Sequence, residues 1–315
     1  MLVPPSTKPL PLSRVIALKC VYTGVQTIRH LLTLLATTVE SFEIAYYDDP
    51  IGPTLQDGMI ELPKLSSFTM KCRQQSDGLA ILDTFNQYKS ITTIHIHFFR
   101  SLPEVSFHHS DFPALRSVKC DRNLAVSLIP QRPVTTYVET HSIRVRFGEL
   151  FNSLSKTRAN ITNLNIVVSD EFYPFLPSIA ASVPHLEHLT LRSLHYDMCW
   201  FEPNVLSGRL PFNTPGSVVA TLPKLKSVTY CVANHFYTDI RLQKILRTIL
   251  TPVCPALEMF ECLFFAAFTP EFASPSLPEP TREWKVRRLP DGSWERQGPP
   301  PIPTHAPAKK LSAVP

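Results

Sequence analysis

The chain has 315 residues, 44% of them hydrophobic and 18% charged, enough apolar mass for one large or two ordinary domains. Its nine glycines include no GxGxxG or GxxxxGKS/T spacing, which argues against a glycine-rich phosphate loop. The net charge of +5 sits mostly at one end, since Arg282 to Pro315 holds seven basic and three acidic residues. The near-neutral remainder lacks the dense Lys and Arg field of a nucleic-acid surface.

In chain order, Met1 to Gly24 reads as a lead-in carrying four prolines and no apolar core of a secretory signal. Val25 to Ala36 then sets Val25, Ile28, Leu31, Leu32 and Leu35 at helical spacing. A strand frame follows at Val39/Phe42/Ile44, and the frame returns down the chain. Five copies open on apolar-Pro-x-Leu: Leu62 to Met70, Phe112 to Cys120, Val183 to Leu191, Leu222 to Tyr230 and Cys254 to Cys262. Two more, Ile91/Ile94/Ile96 and Ile161/Leu164/Ile166, keep the apolar positions without proline, and Val134/Tyr137 is a poor ninth copy. Helical spacing recurs between frames at Leu79 to Phe85, Phe147 to Leu154, Phe172 to Val183 and Ile240 to Leu250. Each helical stretch runs into the Pro or Lys that opens the next strand, and proline there stops the helix and turns the residue before it towards extended geometry. Asp48 to Glu61 and residues 197–221 read as irregular loops. Trp284 to Trp294 reads as a hairpin around Asp291-Gly292, and the Pro-rich remainder from Gln297 reads as a disordered tail. The expected divisions are 1–24, 25–269, 270–296 and 297–315.

The first apolar anchors fall at 39, 65, 91, 115, 134, 161, 186, 225 and 257, mostly near the roughly 20–29-residue period of leucine-rich units. The frame resembles the L-x-x-L-x-L half of a leucine-rich repeat. Of the positions eight residues after each anchor, only Asn123 supplies the family's asparagine, so the repeats are degenerate. The expected fold is α/β: a degenerate leucine-rich-repeat-like right-handed solenoid with a C-terminal hairpin and a Pro-rich tail. The L-P-x-L openings and the basic Trp-containing end look similar to the leucine-rich region of fungal F-box-type proteins. In that family an F-box recruits the adaptor of a cullin ubiquitin ligase while the repeats select the substrate. An F-box needs roughly 40–50 residues before the repeats; none is visible, and adaptor binding is not expected.

Residues between the apolar positions of each strand are expected on the concave face, away from the core. That face reads as small, polar and of mixed charge, which suits a protein-docking surface. Its larger groups, His95, His97, Lys119, Asp121, His188 and Arg192, are the expected partner contacts, because binding energy concentrates in a few large residues. The alternative is an enzyme or metal protein built on His95-Ile-His97, whose two imidazoles share one strand face. That spacing suits a metal, but no further ligand is placed by sequence. No GxSxG, HExxH or SxxK motif is present, so no catalysis, metal or cofactor is expected. Seven scattered cysteines without CxxC point to reduced thiols in cytoplasm or nucleus, and no apolar run is long enough for a membrane span.

Overall fold

The computed structural model describes residues 17–21, 25–46, 60–72, 81–83, 85–98, 106–140, 147–168, 176–193, 222–232, 242–243, 246–251, 254–265, 280 and 282–298. The expected loop at 197–221, most of that at 48–61 and the tail beyond residue 298 lie outside them. The fold is α/β, with few helices and one open sheet of twelve strands in strict chain order.

Nine strands coincide with the nine sequence frames. They are β2 (Ser41–Tyr46), β3 (Ser67–Cys72), β4 (Thr93–Phe98), β5 (Ser117–Cys120), β6 (Thr136–Glu139), β7 (Asn163–Val168), β8 (His188–Ser193), β9 (Ser227–Val232) and β10 (Met259–Phe264). All nine anchors, from Val39 to Leu257, are buried. A tenth strand, β1 (Ala17–Val21), lies inside the segment read as a lead-in and pairs in parallel with β2, Leu18 beside Phe42 and Cys20 beside Ile44. Its five residues alternate too briefly, and with too exposed a pattern, to stand out in the sequence.

The proline motif has a local cause. In Leu62-Pro-Lys-Leu65 the Leu65 amide donates to the Leu62 carbonyl, 3.1 Å away. The same four-residue turn closes at Leu115, Leu186, Leu225 and Leu257. Proline sits second in each, where its fixed φ suits the turn and its missing N–H costs nothing. Tyr88 to Ile91 makes the same turn without proline, at 3.3 Å. After each turn, two successive amides donate to one carbonyl of the preceding unit. Ser66 and Ser67 share Glu40, Thr92 and Thr93 share Ser66, and the series runs on to Glu258 and Met259 on Lys226. These paired bonds fix the register in which the parallel ladder then continues.

Among the described residues, four α-helices of seven or more residues lie between strands: α1 (Val25–Leu35), α2 (Arg122–Leu128), α3 (Phe147–Leu154) and α4 (Leu176–Ser182). Ile28, Leu32 and Leu35 of α1, and Phe147, Leu150, Phe151 and Leu154 of α3, face the core. Helix α2, at seven residues, is too short for the sequence periodicity to mark it. The stretch at 240–250 contains a π-helical turn, Leu246–Leu250, and the Thr251 hydroxyl donates to the Leu246 carbonyl at 2.8 Å. Of the stretch at 79–85, residues 81–83 are helical, and Phe85 stacks on Phe68 with centroids 4.2 Å apart.

The hairpin forms as expected. β11 (Arg282–Arg288) pairs antiparallel with β10, and β12 (Trp294–Gln297) pairs antiparallel with β11. Gly292 supplies the φ of +83° that the turn requires. Trp284 is 1% exposed and meets Phe260 edge-on at 5.7 Å, so the hairpin seals the last parallel strand.

Candidate functional site

Each parallel strand presents alternate residues to the core and to the opposite, outer face. β3 and β4 show it cleanly, with Phe68, Met70, Ile94 and Ile96 buried and the residues between them half-buried. Ladder pairing sets the outer residues in rows across the sheet. The first row begins Ser41, Ser67, Thr93, Ser117 and Thr136, and the second runs Glu43, Thr69, His95 and Lys119.

Over β1 to β5 the second row and the row after it, which holds Lys71 and His97, carry the charge. The Glu43 carboxylate is shared between Lys19 at 3.1 Å and Lys71 at 3.3 Å. Burial raises the Glu43 carboxyl, but the two ammonium groups prevail and hold it below its usual range. Lys71 lies beside His97 in the ladder, and His95 lies beside Lys119. Burial, then the charges of Lys119, Lys71 and His97, pull His95 down to about 4, against the opposing pull of Glu43. Its Nε2 is buried and finds no hydrogen-bond partner among the described residues. Lys119 is also lowered, by burial first and then by Arg192 and Lys71. Among the described residues no three His, Cys, Asp or Glu side chains come together as a metal site.

The six residues singled out by sequence do not share one environment. His95, His97 and Lys119 are half-buried neighbours on β4 and β5, whereas His188 is exposed on β8, its Nδ1 2.8 Å from the Ser227 hydroxyl. Asp121 caps α2, its carboxylate accepting from the Leu124 amide at 2.9 Å. Arg192, expected as an exposed contact, is only 2% exposed. Its Nε donates to Asn165 Oδ1 at 2.9 Å and its Nη2 to the Glu139 carbonyl, so its bonds are spent inside the protein.

Sequence reading missed the polar cluster that holds Arg192. Glu139 occupies the inward position that Cys120 fills on β5, and it is fully buried. Arg122, from the first turn of α2, forks onto it with Nε 3.0 Å from Oε1 and Nη2 3.1 Å from Oε2. The pair replaces missing ladder bonds. β6 is short, and beyond Val138 the Val167 amide donates to Glu139 Oε2 while Arg122 Nη2 donates to the Val167 carbonyl, both at 3.0 Å. The Arg122 guanidinium also lies over the Phe147 ring, 3.8 Å from its centroid. Burial pushes the Glu139 carboxyl up; Arg122 and the Val167 amide pull it back. The available signal was the defective ninth frame itself, in which a glutamate stands where the third apolar residue belongs.

Arg132, also buried, gathers four backbone carbonyls: Asp111 and His108 at 2.7 Å, Leu128 at 2.7 Å and Pro130 at 3.1 Å. Both arginine clusters are devices for satisfying backbone groups. No helix among the described residues is long and apolar enough to cross a membrane. No protein-family model matches this chain, and a search of curated proteins finds no match.

Proposed function

We propose that the chain is a non-catalytic protein-recognition module. Its units stack as a degenerate leucine-rich-repeat-like right-handed solenoid, and the outer sheet face docks a protein partner. The observation that carries this reading is the unbroken chain-order sheet, whose outer positions form rows of hydroxyl, amide, imidazole and ammonium groups. Stacked α/β units joined by parallel crossovers build such extended faces, and the crossovers are right-handed in the great majority of cases. Small polar side chains adapt their hydrogen bonds to a partner at little conformational cost. The role is similar to substrate selection by the repeat region of F-box receptors. The six described cysteines are buried thiols, which suits a reducing cytoplasm or nucleus.

The test places bulk on the outer face at two distant strands. Thr69→Trp and Thr190→Trp, both at half-buried outer positions, should abolish capture of a partner protein that the unmodified chain retains. Glu61→Trp, on an exposed strand-opening segment, should leave capture intact. Capture surviving both outer-face changes would show that the partner reads another surface.

A further inference from the structure

The outer rows are not electrically uniform. Over β1 to β5 they present Lys19, Lys71 and Lys119 against one paired carboxylate, Glu43, with His95 and His97 between the lysines. Lys71 keeps 32% of its side chain exposed even while it touches Glu43. Lys119 forms no ion pair with Asp121, whose carboxylate is turned onto the Leu124 amide. The buried Nε2 of His95 lies between these cations without a hydrogen-bond partner among the described residues. The patch thus has a surplus of positive charge and an unmet polar atom.

From this complementarity we infer that the face over β3, β4 and β5 receives an acidic segment of the partner protein, lying in extended form across the strands. The inference rests on the reading of the outer face as the recognition surface and names the chemistry that surface selects. The dimensions agree. β3 and β5 are two strand spacings apart, about 9.6 Å, and Lys71 stands one row beyond Lys119, so about 12 Å separates them. Carboxylates four residues apart in an extended chain stand about 13 Å apart, and flexible lysine stems close the difference. One carboxylate meets Lys119; another, further along the segment, meets Lys71. Nucleic acid is the poorer occupant, because the patch is only three strands wide and the body of the chain is near neutral.

The probe is a fluorescein-labelled peptide of alternating Glu and Ser, with an alternating Lys and Ser peptide as its opposite. Anisotropy with the full chain should show binding of the acidic peptide alone, weakened at least about tenfold between about 50 and 500 mM salt. Lys71→Glu with Lys119→Glu should weaken it by about tenfold or more. Lys64→Glu with Lys224→Glu makes the same change in net charge at exposed strand-opening positions and should change it less than about twofold. Lys71→Gln with Lys119→Gln, which adds no repulsion, should give a smaller loss in the same direction and serves if the reversal does not fold. Absence of acidic-peptide binding at low salt, equal binding of the basic peptide, or equal loss in both reversed pairs would overturn the inference. A captured partner lost on Thr69→Trp but indifferent to salt and to both lysine reversals would overturn the acidic-segment inference and leave the outer-face reading standing. Indifference to Thr69→Trp as well would overturn both.

Discussion

At the scale of single residues, the strongest constraints come from charges inside the molecule. Removing one partner of the Arg122–Glu139 pair strands the other without solvent. Glu139→Ala or Arg122→Ala should therefore cost about 3–5 kcal/mol in denaturant unfolding, while Arg122→Met with Glu139→Leu should cost less than either. An equal or larger loss in the double variant would show that Val167 depends on both side chains for its backbone bonds. His95 gives a pH dependence of definite sign. Its folded value, about 4, lies below the usual 6.5, so the unfolded chain takes up the proton first. Stability from this group is complete above about pH 6.5 and is lost as pH falls towards 4, by no more than about 3 kcal/mol. His95→Gln should flatten the melting temperature over that window; an unchanged slope would assign the pH dependence elsewhere. The sequence identified His95, His97 and Lys119 as outer-face groups because strand alternation alone decides that. It could not reveal that Arg192 is buried, since alternation assigns a face but not what the guanidinium bonds to there. Nor could it pair Arg122 with Glu139, seventeen residues apart across a helix start and a strand end.

At the scale of elements, the turn and the strand it opens act as one unit. Leu189 and Thr190 are neighbours on β8 with opposite facings, one 3% exposed and the other half-buried. Leu189→Asp should leave the chain unfolded or insoluble, because the charge enters an apolar interior without a partner. Thr190→Asp should retain native circular dichroism and melting temperature. Equal damage from both would remove the facing assignment. Asp121→Ala should cost about 1 kcal/mol through loss of the α2 cap. Five of the nine strands were legible because three apolar positions and a proline turn repeat together, each signal checking the other; the remaining four rested on the apolar positions alone. Helices α1 and α3 were legible because each buries a full apolar stripe. Helix α2 was not, because a cap and seven residues with Leu124, Ala125 and Leu128 inward make too short a period to register.

At the scale of the molecule, the sheet has two ends of different construction. The C-terminal end is closed by a chain reversal. Trp284→Ala opens a cavity against Phe260 and should cost about 3–5 kcal/mol in urea unfolding. A loss well below 1 kcal/mol would show that the hairpin is an appendage. Because every strand pairs only with its neighbours in sequence, each one finds its template already in place as it leaves the ribosome. At about 5–20 residues per second, a new unit of about 25 residues follows the last within about 1–5 s. Synthesis can therefore build the sheet one rung at a time, without waiting for distant sequence. The cost falls at the end, since β10 stands bare-edged until Arg282 to Arg288 have emerged and turned back. A ribosome arrested with residue 270 just clear of the exit tunnel should carry a nascent chain that self-associates through that edge, whereas arrest with residue 298 clear of the tunnel should not. Sedimentation of the two stalled complexes distinguishes them: equal behaviour would mean that the growing sheet protects its own margin before the hairpin arrives.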